Sequence, residues 1–197
     1  TLAAPAGLDK TAWVSGDNVR RTTATVRLEG SRAALARASQ RLSEPVILLV
    51  GDSLPTEVGS ATINLREALR DHRAFDRLAV SLIDVQPATI SVIVDDIVRE
   101  DVPVRVRTGE APRDAPPVIE PATVSVVGPA SIVAGVAFDT VQATVSNDAL
   151  NQLESGSTTR FPSLTVNIPS PWRTELVEVS PLSVDAIITL RNTIESL

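Results

Sequence analysis

The dominant pattern along the chain is an alternation of apolar and polar residues with a period of two, rich in Val, Ile and Thr. Such alternation predicts β-strands that turn one face to a core and the other to solvent. Fourteen prolines and many other turn residues separate these segments at short spacing, which favours antiparallel β-structure over β-α-β units. The clearest strands are predicted at 24–28, 90–94, 102–106, 164–168 and 184–190.

Helical patterns are few and short. Ser31 stands where an N-cap is expected, and Leu35, Ala38 and Leu42 after it fall on one helix face. Gly128-Pro129 predicts a shorter helical turn with proline at a first helical position, and single turns are expected within 64–72 and 147–156. We therefore predict a mainly β fold, a β-rich α+β class with short helices.

Three sequence blocks occur twice in the same order, which predicts a tandem duplication with a period of about 95 residues, one domain length. We predict an N-terminal extension over 1–19, a divergent first domain over 20–96, a second domain over 97–190 and a tail over 191–197. The paired blocks begin at Ala24 and Ala122, at Ser60 (SATINLREAL) and Gln142 (QATVSNDAL), and at Leu82 and Leu176.

Composition limits the kinds of partner and compartment. With 18 basic and 24 acidic residues and a net charge of −6, the chain has no basic stripe for phosphates, so nucleic acid is not an expected partner. No run approaches the roughly 18 apolar residues of a membrane span, and we expect this chain by itself to be soluble. Cysteine and methionine are absent, and because Thr1 opens the chain we expect a processed or excised part of a longer protein.

The motifs of the second copy resemble the YbbR-like domain family. A strand opens with V-P-V at Val102, a second reads P-A-T-V-S-V-V-G-P from Pro121, and a helical turn and LVEVSPLSVDAIITL from Leu176 follow. The first copy departs from this pattern, because Thr23 stands in place of Pro121, Gly30-Ser31 in place of the Gly-Pro pair, and the V-P-V strand has no clear counterpart.

This resemblance implies two tandem YbbR-like domains, each similar in shape to the ribosomal L25-type fold, behind an N-terminal membrane helix. It also implies an extracytoplasmic, membrane-anchored protein that regulates a membrane diadenylate cyclase, the enzyme that makes cyclic di-AMP, by protein-protein contact. No catalytic residue, cofactor or metal is attributed to the family, so none is assigned here, and the partner-binding residues stay unknown. The alternative is a generic envelope structural or binding module without a cyclase partner.

A distant alternative is a GDSL-type hydrolase, because Gly-Asp-Ser-Leu at 51–54 follows an apolar run. A nucleophilic Ser53 would need a base in a late D-x-x-H block and an Asn in a G-x-N-D block. The one histidine, His72, comes only 19 positions later (72 − 53), with Leu69 in place of the Asp, and Val145 replaces the glycine of the third block. We therefore expect 51–54 to be a turn between strands and His72, among charged neighbours, to be a solvated surface residue.

The predicted domain junction carries four acidic residues. Carboxylate oxygens suit Ca²⁺, but the spacing is not that of an EF-hand, so we expect a solvated linker and assign no metal. One histidine without cysteines does not make a zinc site. The four acidic residues are Asp95, Asp96, Glu100 and Asp101.

Arg105 and Arg107 alternate with valines in the predicted strand at 102–106 and beyond, and we expect them to face solvent. Trp13 and Trp172 are the two tryptophans in a chain with 3% aromatic residues. That content provides no stacking platform for sugars or bases, so we expect each tryptophan to be a single packed or partly exposed residue.

Overall fold

A computed structural model describes residues 1–108, 116–136, 141–154 and 156–190. Strands account for 47% and helices for 15%, which confirms the mainly β class. The described residues divide into two compact units, and each unit has a hydrophobic core. Unit 1 comprises Thr1–Ile97 and Thr174–Leu176; unit 2 comprises Val98–Arg173 and the described residues from Val177 onwards.

Unit 1 is built on antiparallel pairs with one short parallel pair. Its elements are β1 (Leu2–Ala3), β2 (Lys10–Val14), β3 (Thr25–Gly30), α1 (Arg32–Arg41), β4 (Leu48–Leu49), β5 (Gly59–Asn64), α2 (Leu65–Arg70), β6 (Val80–Gln86) and β7 (Thr89–Pro103). From Val98 onwards, β7 belongs to unit 2. β1 runs parallel to β4, β3 is antiparallel to β6, and β7 lies between β2 and β5, antiparallel to both.

Unit 2 has a five-stranded sheet and one further pair of strands. Its described elements are β8 (Arg105–Arg107), β9 (Val118–Glu120), β10 (Thr123–Pro129), α3 (Ala130–Val133), β11 (Gln142–Thr144), α4 (Asn147–Asn151), β12 (Thr158–Asn167), a 3₁₀ helix (Ser170–Trp172), β13 (Glu178–Ser180) and β14 (Ser183–Thr189). The sheet has the order β8-β11-β12-β14-β9, and β10 pairs with β13 and β7. Among the described pairs of the sheet, β8 and β11 are parallel and the others are antiparallel.

The two units, each taken by itself, repeat one topology. The strands β1 to β7 correspond in order to β8 to β14. The parallel pair β1-β4 of unit 1 matches the parallel pair β8-β11 of unit 2. Among the antiparallel pairs, β2-β7 matches β9-β14 and β3-β6 matches β10-β13. The pair β5-β7 matches β12-β14. The helix α1 corresponds to α3, and α2 to the 3₁₀ helix. This agreement in pairing supports the duplication predicted from the sequence.

The correspondence corrects the middle pair of sequence blocks. The block QATVSNDAL forms β11 and α4, whose counterparts in unit 1 are β4 and the segment 51–54. The block SATINLREAL forms β5 and α2, the counterparts of β12 and the 3₁₀ helix. Both blocks are a strand followed by a capped turn, so they look alike in sequence. The strand pairing distinguishes the two blocks. β4 runs parallel to β1 and β11 runs parallel to β8, whereas β5 runs antiparallel to β7.

Residues 1–19, predicted to be an extension, supply β1 and β2 of unit 1. Leu2, Ala12 and Trp13 are buried, and their strands pair with β4 and β7. These two strands are the counterparts of β8 and β9. The strand predicted at 102–106 is divided in the structure, because Val102 and Pro103 end β7 and Arg105–Arg107 form β8, so β1 is the counterpart of its second part only. Its partner lies more than 40 residues away, beyond the reach of a local pattern.

The predicted rows of buried residues are confirmed for two strands, the row at 24–28 is exposed or half-buried, and the predicted helices form. Every second residue from Ile90 to Val94 and from Val184 to Leu190 is buried. Ser31 caps α1, its Oγ accepting the N–H of Ala34 at 3.2 Å, and the predicted turns form α2, α3 and α4. Pro129 lies at the N-cap of α3, one position before the predicted one. Within the described residues, none of the helices has the length and apolar character needed to cross a membrane.

Candidate functional site

The segment 51–54 is a tight turn that ends in a buried side chain. Gly51 has φ +86°, a conformation that glycine adopts without strain. The N–H groups of Asp52, Ser53 and Leu54 all donate to the carbonyl of Leu49 at 3.0–3.2 Å. Leu54 is 4% exposed and belongs to the core of unit 1. The predicted turn is therefore confirmed, and its role in the fold is to return Leu54 to the core.

Unit 2 contains the same feature with different residues. Val145 and Leu150 are buried at the positions equivalent to Val50 and Leu54. Between them Ser146 caps α4, its Oγ accepting the N–H of Ala149 at 3.3 Å. Both segments thus carry polar residues between two buried apolar residues. In unit 2 the Ser146 side chain caps the backbone, whereas in unit 1 the Ser53 side chain bonds to Asp52.

Ser53 is hydrogen-bonded to its neighbour. Its Oγ donates to Oδ2 of Asp52 at 3.2 Å on the exposed side of the turn. A serine nucleophile is activated by a base that accepts its proton, most often an imidazole. The described contacts of Ser53 and of His72 do not include one another.

His72 is buried, and the prediction that it is a solvated surface residue is wrong. It is 8% exposed. The N–H of Ala74 donates to Nδ1 at 3.0 Å, so Nδ1 carries no proton and Nε2–H donates to the carbonyl of Ile47 at 2.9 Å. Both ring nitrogens are therefore used by the backbone, and His72 ties the segment after α2 to the start of β4.

The four acidic residues of the predicted linker lie on one continuous strand, β7, and not in a loop. Asp95 is buried and accepts the N–H of Asp96 at 2.8 Å, while the Asp96 carboxylate pairs with Lys10 Nζ at 2.5 Å. Consecutive side chains of a strand point to opposite faces, so the four carboxylates do not converge. Among the described residues no group of three or more His, Cys, Asp or Glu side chains is arranged to hold a metal ion.

An ion-pair cluster lies on the strands β12, β14 and β9 of unit 2. Asp185 accepts the N–H of Ser163 at 2.8 Å, and Arg160 donates to the other Asp185 oxygen through Nε at 2.9 Å and a terminal nitrogen at 2.6 Å. Glu120 lies 3.5 Å from Arg160. The hydrogen bond from the Ser163 N–H is the largest cause that lowers the pKa of Asp185, and the bond from Arg160 is the next largest. Asp185 in turn raises the pKa of Arg160. The cluster is solvent-exposed and fixes the β-bulge between Phe161 and Leu164.

The arginines and tryptophans singled out in the sequence are where they were predicted to be. Arg105 and Arg107 are exposed on β8, which is at the edge of the five-stranded sheet. Trp13 and Trp172 are each 2% exposed, and the Trp172 indole N–H donates to the carbonyl of Ile132 at 3.3 Å. Both tryptophans are core residues of the fold.

Unit 1 contains an apolar cleft of about 580 Å³ that the sequence did not predict. Its floor consists of buried leucines of β1, β4 and α2, and its rim is formed by the connection between α1 and β4 and by the residues that lead into β3. In the sequence, the spacing of Leu65 and Leu69 predicts an apolar helix face, but not that the face is partly uncovered. Its principal apolar lining residues are Leu2, Val26, Leu42, Val46, Leu48, Leu65, Leu69, Phe75 and Ile90.

No protein-family model and no curated protein matches the chain. Solved structures similar to it include a YbbR-like protein from Streptococcus pneumoniae TIGR4, which is 13% identical in sequence. The comparison covers 98% of this chain and 91% of that chain, with a TM-score of 0.44. SuR18C from Streptococcus thermophilus is 19% identical over 51% of this chain and 91% of that chain, with a TM-score of 0.35. The Streptococcus pneumoniae protein is described as YbbR-like, and this is the family that the sequence motifs resemble. At these TM-scores the likeness carries no argument about function.

Proposed function

We propose that this chain is a non-enzymatic pair of tandem YbbR-like β-domains that acts by contact with another protein. We infer an extracytoplasmic module, anchored to the membrane in the full-length protein, that regulates a membrane diadenylate cyclase and so the supply of cyclic di-AMP. Such a module changes the cyclase activity only if it binds one state of the cyclase more tightly than another.

The observation that carries the non-enzymatic part of this proposal is the state of Ser53 and His72. The serine hydroxyl donates to Asp52, and both nitrogens of the histidine are hydrogen-bonded to the backbone. His72 is thereby used to build the fold, and the described contacts of the Ser53 hydroxyl do not include it. The repeated topology of the two units and the YbbR-like motifs of the second copy support the tandem-domain part.

The cyclase partner is tested by binding and by product formation together. The purified chain is added to a membrane diadenylate cyclase reconstituted in vesicles, and co-sedimentation and cyclic di-AMP synthesis are measured. We expect co-sedimentation and a changed rate of synthesis. Absence of both contradicts the cyclase role and leaves the generic envelope module as the function of the same fold.

The hydrolase alternative is tested with a chromogenic ester. We expect the wild-type chain and Ser53→Ala to give the same rate as buffer, because the described contacts of Ser53 do not include the imidazole of His72. Hydrolysis by the wild-type chain that is lost in Ser53→Ala, with folding intact by circular dichroism, would overturn the non-enzymatic proposal.

A further inference from the structure

We propose that an arginine patch in unit 1, formed by Arg37 and Arg41 of α1 and by Arg73, binds the phosphate headgroups of an anionic lipid bilayer. The proposal goes beyond the regulatory role and does not require a cyclase. It is tested with vesicles that contain none, so its failure is distinct from failure of the cyclase role.

The helix α1 provides two members of the patch. It carries three arginines and no acidic residue. Ala34 and Ala38 are buried, whereas Arg37 and Arg41 are exposed and, being four residues apart, lie on the same flank of the helix. Side chains with this spacing leave the helix about 6 Å apart, so two positive charges stand together on the surface of unit 1.

The segment that follows α2 brings a third guanidinium alongside. A terminal nitrogen of Arg41 donates to the backbone carbonyl of Arg73 at 2.8 Å, which places Arg73 next to the C-terminal end of α1. The Arg73 side chain is exposed, although His72 before it is buried. Arg41 and Arg73 are 32 residues apart in the sequence, so the patch does not appear there as a continuous basic stripe.

The patch carries a local excess of positive charge. The described ion pairs use Lys10 and Arg160 as their cations, so no arginine of the patch has a carboxylate within 4 Å in the part of the chain that the structure describes. Residues 32–42 and 70–77 contain six arginines and two aspartates, a net charge of +4 (6 − 2), in a chain of net charge −6. Because salt screens exposed charges beyond about 10 Å at 0.1 M, an anionic surface against α1 responds to this local charge and not to the total.

A bilayer suits this patch better than an acidic protein does. The three arginines project from a helix flank and a turn, and none of them lines the apolar cleft, so they need no partner of fixed shape. Beside them lies Ile47, whose carbonyl accepts the His72 Nε2–H at 2.9 Å and which is 38% exposed. Basic residues next to an exposed apolar side chain favour contact with the interface of an anionic membrane.

Co-sedimentation of the full chain with vesicles tests the proposal. The vesicles consist of phosphatidylcholine with or without about 30% phosphatidylglycerol, and the salt concentration is raised from about 0.1 M to about 0.5 M. We expect the chain to sediment with the anionic vesicles alone and to be released by salt, because the attraction is electrostatic. Sedimentation with neither kind of vesicle, or with both alike, would overturn the proposal.

Paired substitutions locate the contact. Arg37→Gln combined with Arg73→Gln should weaken vesicle binding about thirtyfold, since each basic residue at an anionic leaflet contributes about fivefold. Arg41 is retained, because its hydrogen bond joins the two segments. The matched control, Arg105→Gln combined with Arg107→Gln, removes the same charge from exposed sites on β8 and should bind like the wild type. Equal weakening by both pairs would assign the effect to net charge and overturn the patch.

A charge-conserving pair separates a bilayer from an acidic protein. Arg37→Lys combined with Arg73→Lys should keep vesicle binding within about threefold of the wild type, because a fluid leaflet responds to charge and not to the fixed fork of a guanidinium. A loss as large as that of the glutamine pair, with folding intact by circular dichroism, would indicate a partner with carboxylates at fixed positions and would overturn the bilayer proposal.

A reporter on α1 identifies the surface that meets the vesicle. Because the chain contains no cysteine, Gln40→Cys provides a single exposed site next to Arg41 for a polarity-sensitive dye. Thr144→Cys provides the control at an exposed site of β11 in unit 2. With anionic vesicles we expect a blue shift of the emission at Gln40→Cys and none at Thr144→Cys. A shift at the control site equal to or larger than that on α1 would overturn the patch as the contact.

Discussion

At the scale of single residues, His72 is a structural side chain whose two hydrogen bonds connect distant parts of unit 1. We expect His72→Ala to lower the free energy of unfolding by about 3 kcal/mol, because it leaves the Ala74 N–H and the Ile47 carbonyl without partners and opens space in a buried site. Chemical denaturation monitored by tryptophan fluorescence measures the change.

The matched control for His72 is its exposed neighbour Arg73. Arg73→Ala removes an exposed charged side chain. The described hydrogen bond at this residue uses the backbone carbonyl of Arg73, which the substitution keeps. We therefore expect Arg73→Ala to change the free energy of unfolding by less than about 0.5 kcal/mol. Equal effects of the two substitutions would contradict the structural role of His72.

Ser53 gives the opposite expectation. Ser53→Ala removes an exposed hydrogen bond to Asp52 and leaves the three N–H bonds to Leu49 in place. We expect the free energy of unfolding to change by less than about 0.5 kcal/mol. A thermal shift of the purified variant measures it, and a loss comparable with that of His72→Ala would mean that the serine has a further contact.

The sequence predicted the environment of Ser53 but not that of His72, for a physical reason. The turn at 51–54 depends on the positive φ of Gly51 and on backbone N–H groups that donate to the nearby Leu49 carbonyl, so its cause is local. The burial of His72 depends on a carbonyl 25 residues away. The charged neighbours of His72 describe only the local surface, and they indicated a solvated side chain.

At the scale of elements, the first turn of α1 depends on its cap. Ser31→Ala should lower the free energy of unfolding by about 1 kcal/mol, because the Ala34 N–H loses the oxygen it donates to. The control is Ser39→Ala, an exposed site within the same helix, which should be neutral or slightly stabilising. Urea denaturation of both variants checks the expectation, and equal destabilisation of the two would contradict the cap.

The β-bulge of β12 should be sensitive to acid through Asp185. The pKa of Asp185 is lowered in the folded state. The ionised carboxylate therefore stabilises the fold at pH values above the pKa of the unfolded state, about 3.9. This stabilisation is lost as the pH falls through the lower pKa of the folded state. We expect the difference in unfolding midpoint between the wild type and Asp185→Asn to be constant at neutral pH and to shrink below about pH 4. A difference that grows on acidification would contradict this sign.

Strand positions could be predicted more fully than strand partners. Alternating Val and Ile at 90–94 and 184–190 indicated the buried faces, because a strand that covers a core shows this pattern in its own sequence. The same pattern does not record which strand lies alongside. For that reason the first two strands looked like an extension, and the acidic residues of β7 looked like a linker although β7 continues through them.

At the scale of the whole molecule, each unit has its own core, and each core can be weakened separately. Val92 and Val124 are both fully buried, the first in unit 1 and the second in unit 2. We expect Val92→Ala and Val124→Ala each to cost about 2 kcal/mol. Hydrogen exchange should show faster exchange confined to the unit that carries the substitution. A uniform loss of protection in both units would show that they unfold as one.

The duplication was predictable because buried strands of both copies kept similar spacing. The cleft was not, because it is a gap in the packing of the described residues of unit 1, and no residue pattern in the sequence marks such a gap.

The part of β7 that belongs to unit 1 also sets a counting rule for insertions and deletions. Ile90, Val92 and Val94 are buried at alternate positions, and β2 and β5 pair with this part of the strand. Removal of one residue between Ile90 and Val94 turns Val94 to the opposite face of the strand, whereas removal of two restores the parity. Length changes in this segment should therefore be tolerated only in even steps, a parity constraint that acts on the number of residues and not on their identity.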